Sequence, residues 1–354
     1  MGASKRIVWV DVVKYICILM VMLSHLEART DVWQAFYTPF FLSAFFFVSG
    51  YVYKPKDGFK QFFYKKFRQL FIPWLVFSVF DILLSQILSF NEHESLLTEL
   101  TWNFLQIRGH GDGVWFVAAL FVAFIPFYFF IKWYEARSEK ITGGGYNKCT
   151  VAILIAWILS LISVLYTRLL PDGTFPWGSA ALPWHIEYIF QAMFYMVLGY
   201  IFKQMFEKKL DKWNDRAARL VVCLIYLLLV FILYVSGIAL PMVLDVLYDY
   251  ILSIVGIAAV VMIAKRVPSN RYINYVGQNT LIYFALHGKC YSLIQTVLKR
   301  VAGGLYATIL GNVVLSSVFA LLFALLLSIV LIIPALIINK WFPFIMVRKR
   351  ARTI

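Results

Sequence analysis

The chain has 354 residues, of which 62% are apolar, 14% charged and 18% aromatic, and it carries a formal net charge of +15. A soluble domain is about half apolar and roughly a quarter charged. With a mean hydropathy of +0.78, the composition excludes a soluble globular enzyme, a disordered chain and a fibre, because the polar surface is too small to cover a water-soluble ball of this size.

About 20 apolar residues cross a bilayer as a helix, and open sheet edges cannot exist there. The sequence predicts ten such stretches, at 7–26, 32–53, 70–90, 114–134, 151–169, 184–206, 219–240, 244–264, 274–298 and 309–339. The expected fold is therefore an all-α polytopic membrane protein, with one integral-membrane domain over 1–354 and no internal repeat. If the N-terminus is cytoplasmic, 26 Lys and Arg residues fall on the cytoplasmic side and 5 outside. Such a bias orients membrane proteins, so both termini are expected to be cytoplasmic. It also accounts for the net charge without invoking nucleic acid, through contact with anionic lipid. The first stretch carries Asp11 and Lys14 and has no small-residue cleavage site, so it does not read as a signal peptide.

Ionisable groups within spans are costly and are functional candidates. The first span holds Asp11, Lys14 and His25. Eleven helical residues turn through about 1100°, about 20° from whole turns, which places Lys14 and His25 on one face about 16 Å apart along the axis. Asp11 and Lys14 form an i, i+3 pair able to neutralise one another. In the second span a phenylalanine run ends at Ser49-Gly50, small residues that let helices approach closely. The 58–70 stretch repeats Phe at helical spacing between Lys60, Lys65, Lys66 and Arg68. It reads either as a helix lying on anionic headgroups or as a cytoplasmic phosphate-binding entrance. Gly109 to Gly113 forms a glycine-rich turn before the fourth span, where Trp115 sits as an aromatic-belt residue. The ninth span holds a second intramembrane histidine, His287. His93, His110 and His185 fall in or beside outer loops and read as solvated bystanders. The four cysteines are scattered singly, with neither metal spacing nor a disulfide framework.

Several of these segments together resemble the membrane acyltransferase-3 family of O-acyltransferases over nearly the whole chain. They are Asp11-Val-Val-Lys14 with His25 beyond it, Phe45-Phe46-Phe47-Val48-Ser49-Gly50, and Lys65-Lys66-Phe67-Arg68 before Pro73. Asn279-Thr280-Leu281-Ile282-Tyr283 running to His287, and Val114-Trp115-Phe116, complete the set. The resemblance implies transfer of an acyl group, usually acetyl, from cytoplasmic acyl-CoA to a hydroxyl of a cell-envelope sugar or glycan, in a bacterial plasma membrane. It implies His25 as the central catalytic group with Lys14 and Asp11, and Lys65, Lys66, Arg68 and Ser49 at the acyl-CoA. It also implies His287, Tyr283, Asn279 and Trp115 at the acceptor or the developing oxyanion, and no metal. Many members carry Arg where Lys14 stands, and a lysine cannot make the same bidentate fork.

The residues themselves agree with that chemistry. A buried imidazole is disfavoured as a cation, so it can take a hydroxyl proton or carry the acyl group itself. The other reading is a secondary transporter of a small polar solute, for which the intramembrane charges would line the path. Transporters, however, often show paired repeats and matched broken helices, and the sequence has none. There is no G-x-S-x-G elbow and no P-loop.

Overall fold

The computed structural model describes residues 6–28, 30–88, 94–110, 113–137, 145–171, 173–235 and 238–346. In chain order the α-helices are α1 (Val8–Ser24), α2 (Asp31–Tyr37), α3 (Phe41–Tyr51), α4 (Phe59–Lys66), α5 (Ile72–Leu88), α6 (Leu96–Leu105), α7 (Trp115–Ala136) and α8 (Gly145–Leu169). They continue as α9 (Ile189–Ile201), α10 (Glu207–Trp213), α11 (Arg216–Val230), α12 (Met242–Ala264), α13 (Arg271–Gln278), α14 (Thr280–Gly311), α15 (Val313–Val330) and α16 (Ile332–Trp341). A single-turn π-helix at Phe67–Phe71 joins α4 to α5, and a tight 3₁₀ turn, Pro183–Tyr188, leads into α9.

Seven stretches among the described residues are long and apolar enough to cross a membrane. They are Phe59–Ile87, Trp115–Ala136, Asn147–Leu169, Pro183–Trp213, Arg216–Leu233, Met242–Ala264 and Val313–Trp341. The chain is an all-helical, multi-pass membrane protein. The other three expected stretches are helical too, but shorter or interrupted. The 7–26 stretch forms α1, only 17 residues long. The 32–53 stretch is divided into α2 and α3 by a turn at Thr38–Phe40, where Pro39 cannot supply a helical N–H. The 274–298 stretch breaks at Asn279 between α13 and α14, and α14 departs from helical geometry again at Ala302. Two of these three stretches, the first and the ninth, carry His25 and His287.

The chain forms two compact units, one of Met1–Val48 with Met205–Ile337 and one of Ser49–Gln204 with Ile338–Ile354. In the first, α1 is the central helix and packs against α12, α13, α14 and α15. Val12, Val13, Cys17, Ile18 and Met22 are all but inaccessible, and Asp11 is buried with them, so one face of α1 is enclosed by protein. The α1–α13 crossing is a backbone contact. A Cβ on Gly277 would lie 2.1 Å from the carbonyl oxygen of Asp11. The break between α2 and α3 frees carbonyls that lipid cannot satisfy. Tyr226 Oη donates to Phe36 O at 3.0 Å, and Ser253 Oγ donates to Pro39 O at 2.5 Å. Gly256 makes room there for Phe40. Side chains at the helix starts take up orphan N–H groups: Asn270 on α13, Asn312 on α15 and Asp215 on α11.

In the second unit α9 packs against α7 and α8. Met196 and Val197 on α9 and Phe127 on α7 are fully buried. Gly50 meets the α9 backbone at Met196 so closely that a Cβ would lie 1.9 Å from its carbonyl oxygen. The small-residue reading of Ser49-Gly50 therefore has a definite partner helix. The loop after α3 is held in place by Lys203 Nζ on Tyr51 O, Lys132 Nζ on Pro55 O and Tyr128 Oη on Asp57 O.

Candidate functional site

The first unit brings His25 and His287 together. His25 is the C-cap of α1 and His287 lies on the second turn of α14. Their ring centroids are 4.8 Å apart with the planes at 70°. His25 is exposed at its helix end, whereas His287 is only 6% exposed. The Nδ1 of His25 lies 2.8 Å from Val21 O, and the Nδ1 of His287 lies 2.8 Å from Phe284 O. A carbonyl oxygen only accepts, so each Nδ1 carries the proton and donates it. In the neutral rings both Nε2 atoms hold the lone pair. Ser24 Oγ also donates to Val21 O and lies 3.2 Å from His25 Nδ1, which further fixes the ring. In each ring Nδ1 is committed to a backbone carbonyl and Nε2 is directed away from it.

The helix end that carries His25 is clasped to α14. Tyr291 Oη accepts from the Glu27 N–H at 2.7 Å. The Glu27 carboxylate meets Lys299 at 3.0 Å, accepts from Tyr306 Oη at 3.3 Å, and accepts from Gln295. None of these partners was singled out from the sequence. They follow one another at turns of α14 beyond His287, and that spacing was the signal available.

Lys14 lies on unbroken α1, half-buried, so the stripe shared with His25 is preserved. The Asp11 carboxylate is gripped by Arg6, with Nε at 2.5 Å and Nη2 at 3.2 Å. This partner lies before the helix and was not foreseen. Asn279 is fully buried at the α13–α14 joint, where its Nδ2 donates to Tyr275 O at 2.7 Å. Tyr283 is also fully buried, and its Oη donates to Ser328 O at 3.0 Å. Tyr272 hydrogen-bonds the Ser328 hydroxyl. These groups hold α13, α14 and α15 in register beneath His287.

The second unit holds the remaining predicted residues. Lys65 is ion-paired to Asp57 at 2.6 Å. The Lys66 ammonium sits over the Phe124 ring, 3.5 Å from its centroid. Arg68 is exposed, with its guanidinium 5.8 Å from the centroid of Tyr64. The phenylalanines of this segment do not form a free lipid-facing strip. Phe62 is buried and stacks on Tyr128, and Phe59 and Phe63 meet Phe129 and Phe121 of α7. The α4 segment is thus mounted on α7 through its aromatic side, and this mounting sets where its cations point. Ser49 is half-buried on the last turn of α3, one residue before the Gly50 crossing.

Trp115 opens α7 and faces His185, ring centroids 5.3 Å apart. His185 corrects an expectation. It is 1% exposed, lies 3.9 Å from the Glu187 carboxylate, and has φ of +53° beside Trp184 at +60°. Two successive bulky residues in the left-handed region are held there by packing, with Trp184 stacked on Phe71 and tilted against Trp74. His110 is half-buried rather than fully solvated. Its ring stacks on Trp102 and its Nε2 lies 3.0 Å from Trp177 O, so that nitrogen carries the proton. His93, and Gly111 and Asp112 of the glycine-rich turn, lie outside the described residues.

Among the described residues no group of three or more His, Cys, Asp or Glu side chains is arranged to hold a metal ion. No curated protein and no solved structure matches the chain. The acyltransferase-3 family model, described as an acyltransferase domain, matches residues 7–334 and so takes in both histidines, the basic segment and the Asn279 joint; the chain belongs to that family.

Proposed function

We propose that this acyltransferase moves an acyl group, ordinarily acetyl, from cytoplasmic acyl-CoA to a hydroxyl of a cell-envelope sugar or glycan in a bacterial plasma membrane. The observation that carries the reading is the His25–His287 pair, two imidazoles at 4.8 Å whose Nδ1 atoms are committed to backbone carbonyls. That arrangement leaves a basic Nε2 for proton transfer. In the proposed reaction His25 Nε2 takes the acceptor hydroxyl proton as the oxygen attacks the thioester carbonyl. The C–S bond then breaks, and the imidazolium returns the proton to the departing CoA thiolate. In the two-step variant Nε2 attacks the thioester first and expels the CoA thiolate, carrying the acyl group on the imidazole; the acceptor oxygen then attacks, the N–acyl bond breaks, and the hydroxyl proton passes to the thiolate. Asp11 and Lys14 keep the stripe below His25 polar. Asn279 and Tyr283 act by fixing the α14 turn that presents His287. Trp115 is assigned to the acceptor side.

For the donor, Lys66 and Arg68 are assigned to the CoA phosphates, with Lys65 and Ser49 beside them. Ten crossings with both termini cytoplasmic, following the basic-residue bias, put this segment in contact with the CoA pool.

The test is direct. Acetyl-CoA at 100 times its Kd is expected to stabilise the purified protein by about 2.7 kcal/mol, whereas ATP at the same concentration is not. His25→Ala is expected to lower transfer at least about a hundredfold while leaving the acetyl-CoA stabilisation in place. Near-normal transfer by His25→Ala, or no stabilisation by any CoA species, refutes the assignment, and the second result favours a transporter. Radiolabelled acetyl-CoA without acceptor separates the two routes, because label retained on the wild type and lost in His25→Ala marks the acyl-imidazole.

A further inference from the structure

The second unit contains a cavity of about 460 Å³ between α5, α6 and the turn before α7. Its walls include Asp81 on α5, Glu94 just before α6, Glu99, Trp102 and Asn103 on α6, and His110. Its volume lies within the range of small-molecule sites. The floor is built. Trp102 and His110 are stacked, centroids 4.7 Å apart at 29°, and His110 is anchored on Trp177 O. Asn103 is 3% exposed. Its Oδ1 accepts from Gln106 Nε2 at 3.2 Å, which turns the amide NH₂ into the end able to donate. Gln86 Nε2 donates to Glu94 O at 3.1 Å and ties the start of α6 to the end of α5.

The chemistry of this lining selects a ligand class. Three carboxylates repel phosphates, so an anionic thioester donor does not fit. A bare cation would use acceptors alone. This wall pairs carboxylate acceptors with an amide donor and an aromatic stack. A sugar hydroxyl both donates and accepts, and the C–H face of a sugar ring covers aromatic surface. The helix carrying Asp81 also carries the basic segment, unbroken over Phe59–Ile87. Lys65 and Ser85, which also lines the cavity, are twenty residues apart on it. That is about 30 Å at the helical rise, the thickness of a bilayer core. The two ends of this helix thus carry positive and negative groups about one bilayer-core thickness apart.

We propose that this cavity binds a hydroxyl-rich sugar unit, neutral or amine-bearing, on the membrane face opposite the Lys65–Arg68 segment. As a sugar site it stands apart from the acyl-transfer reading above.

The experiment is saturation-transfer NMR on the full-length protein in lipid nanodiscs, free of sugar-headed detergent and without acyl-CoA. The probes are D-glucose, D-glucosamine, D-glucose 6-phosphate and choline. Glucose and glucosamine are expected to bind, with glucose 6-phosphate and choline at least about tenfold weaker. Glu99→Gln and Trp102→Ala are expected to weaken the sugars about tenfold each, the size of one lost charge-assisted hydrogen bond or stacking contact. If Trp102→Ala fails to fold, the near-isosteric Asp81→Asn is read in its place. Binding of choline as strong as that of glucosamine, no binding of either sugar at tens of millimolar, or unchanged binding in the variants overturns the proposal. Because no acyl-CoA is present, these outcomes are independent of the His25 test. Absence of sugar binding by the wild-type protein alongside intact acetyl-CoA stabilisation refutes only the cavity assignment.

Discussion

His25 and His287 are 262 positions apart in the chain and edge-to-face in the structure. What makes them chemically alike is the backbone carbonyl that each Nδ1 engages. Each could be selected from the sequence as an ionisable group within an apolar stretch, but their contact could not, because it depends on how α1 and α14 cross. The same holds for the Arg6 grip on Asp11 and for Gly277. A glycine in a short amphipathic helix gives no hint that the Asp11 backbone lies against it. Gly277→Ala is expected to lower stability by about 1–3 kcal/mol, since the new Cβ meets a carbonyl oxygen at 2.1 Å and one of two helices must move. Thermal unfolding of the purified variant checks this, and a midpoint within a degree of wild type would refute the contact. The double variant Lys66→Ala, Arg68→Ala is expected to weaken acetyl-CoA binding, and the wild-type affinity is expected to fall as salt rises. Titration at two ionic strengths reads both effects. His185 was misjudged because its neighbours in sequence look like a loop. Its burial comes from Trp115, which lies 70 positions away.

At the scale of elements, apolar runs located the long helices; they missed the short α6 and α10, which lie outside every apolar stretch, and where helices stop. The α2–α3 break follows from Pro39, but its stability follows from α11 and α12, whose Tyr226 and Ser253 take the freed carbonyls. Ser253→Ala is expected to leave Pro39 O without that donor in an apolar setting, at a cost of about 1–3 kcal/mol. Hydrogen exchange is expected to rise at Thr38 to Ala44, with α7 unaffected. Equal protection in the variant and wild type would show that the carbonyl is satisfied otherwise. The basic segment at 58–70 is helical, as α4 and the π-turn that follows it. The sequence alone left open what its aromatic side would touch, and the structure gives α7 as the answer through Tyr128, Phe129 and Phe121. Helices α1 and α13–α14, which fall short of a clean span, carry the ionisable groups and the joints. A protein-enclosed helix tolerates what a lipid-facing one does not.

For the whole molecule, the distribution of basic residues makes the most general statement. Loops 54–69 and 203–219 carry six Lys or Arg residues each, whereas 91–113 carries one. Single cysteines introduced at Lys56 and Lys209 are expected to react with a membrane-impermeant maleimide only after the cells are opened. One at Leu97 is expected to react in intact cells. Labelling of all three from outside would overturn the orientation and, with it, the side on which the donor is met. The all-helical, multi-pass class was legible from composition alone. The division into two compact units was not, because no change in composition marks Val48 to Ser49 or Gln204 to Met205.

The fixed tautomers of the histidine pair have a consequence for reagents. Diethyl pyrocarbonate carbethoxylates a neutral imidazole at the nitrogen bearing the lone pair. His25 is exposed at its helix end with Nδ1 turned to the backbone, while His287 is buried. Peptide mapping should therefore find a single adduct on this pair, on His25, as the Nε2 isomer. Its hydroxylamine-reversible formation would mark the fraction of molecules in which that nitrogen is unoccupied, a titration of empty sites that requires no knowledge of the acceptor.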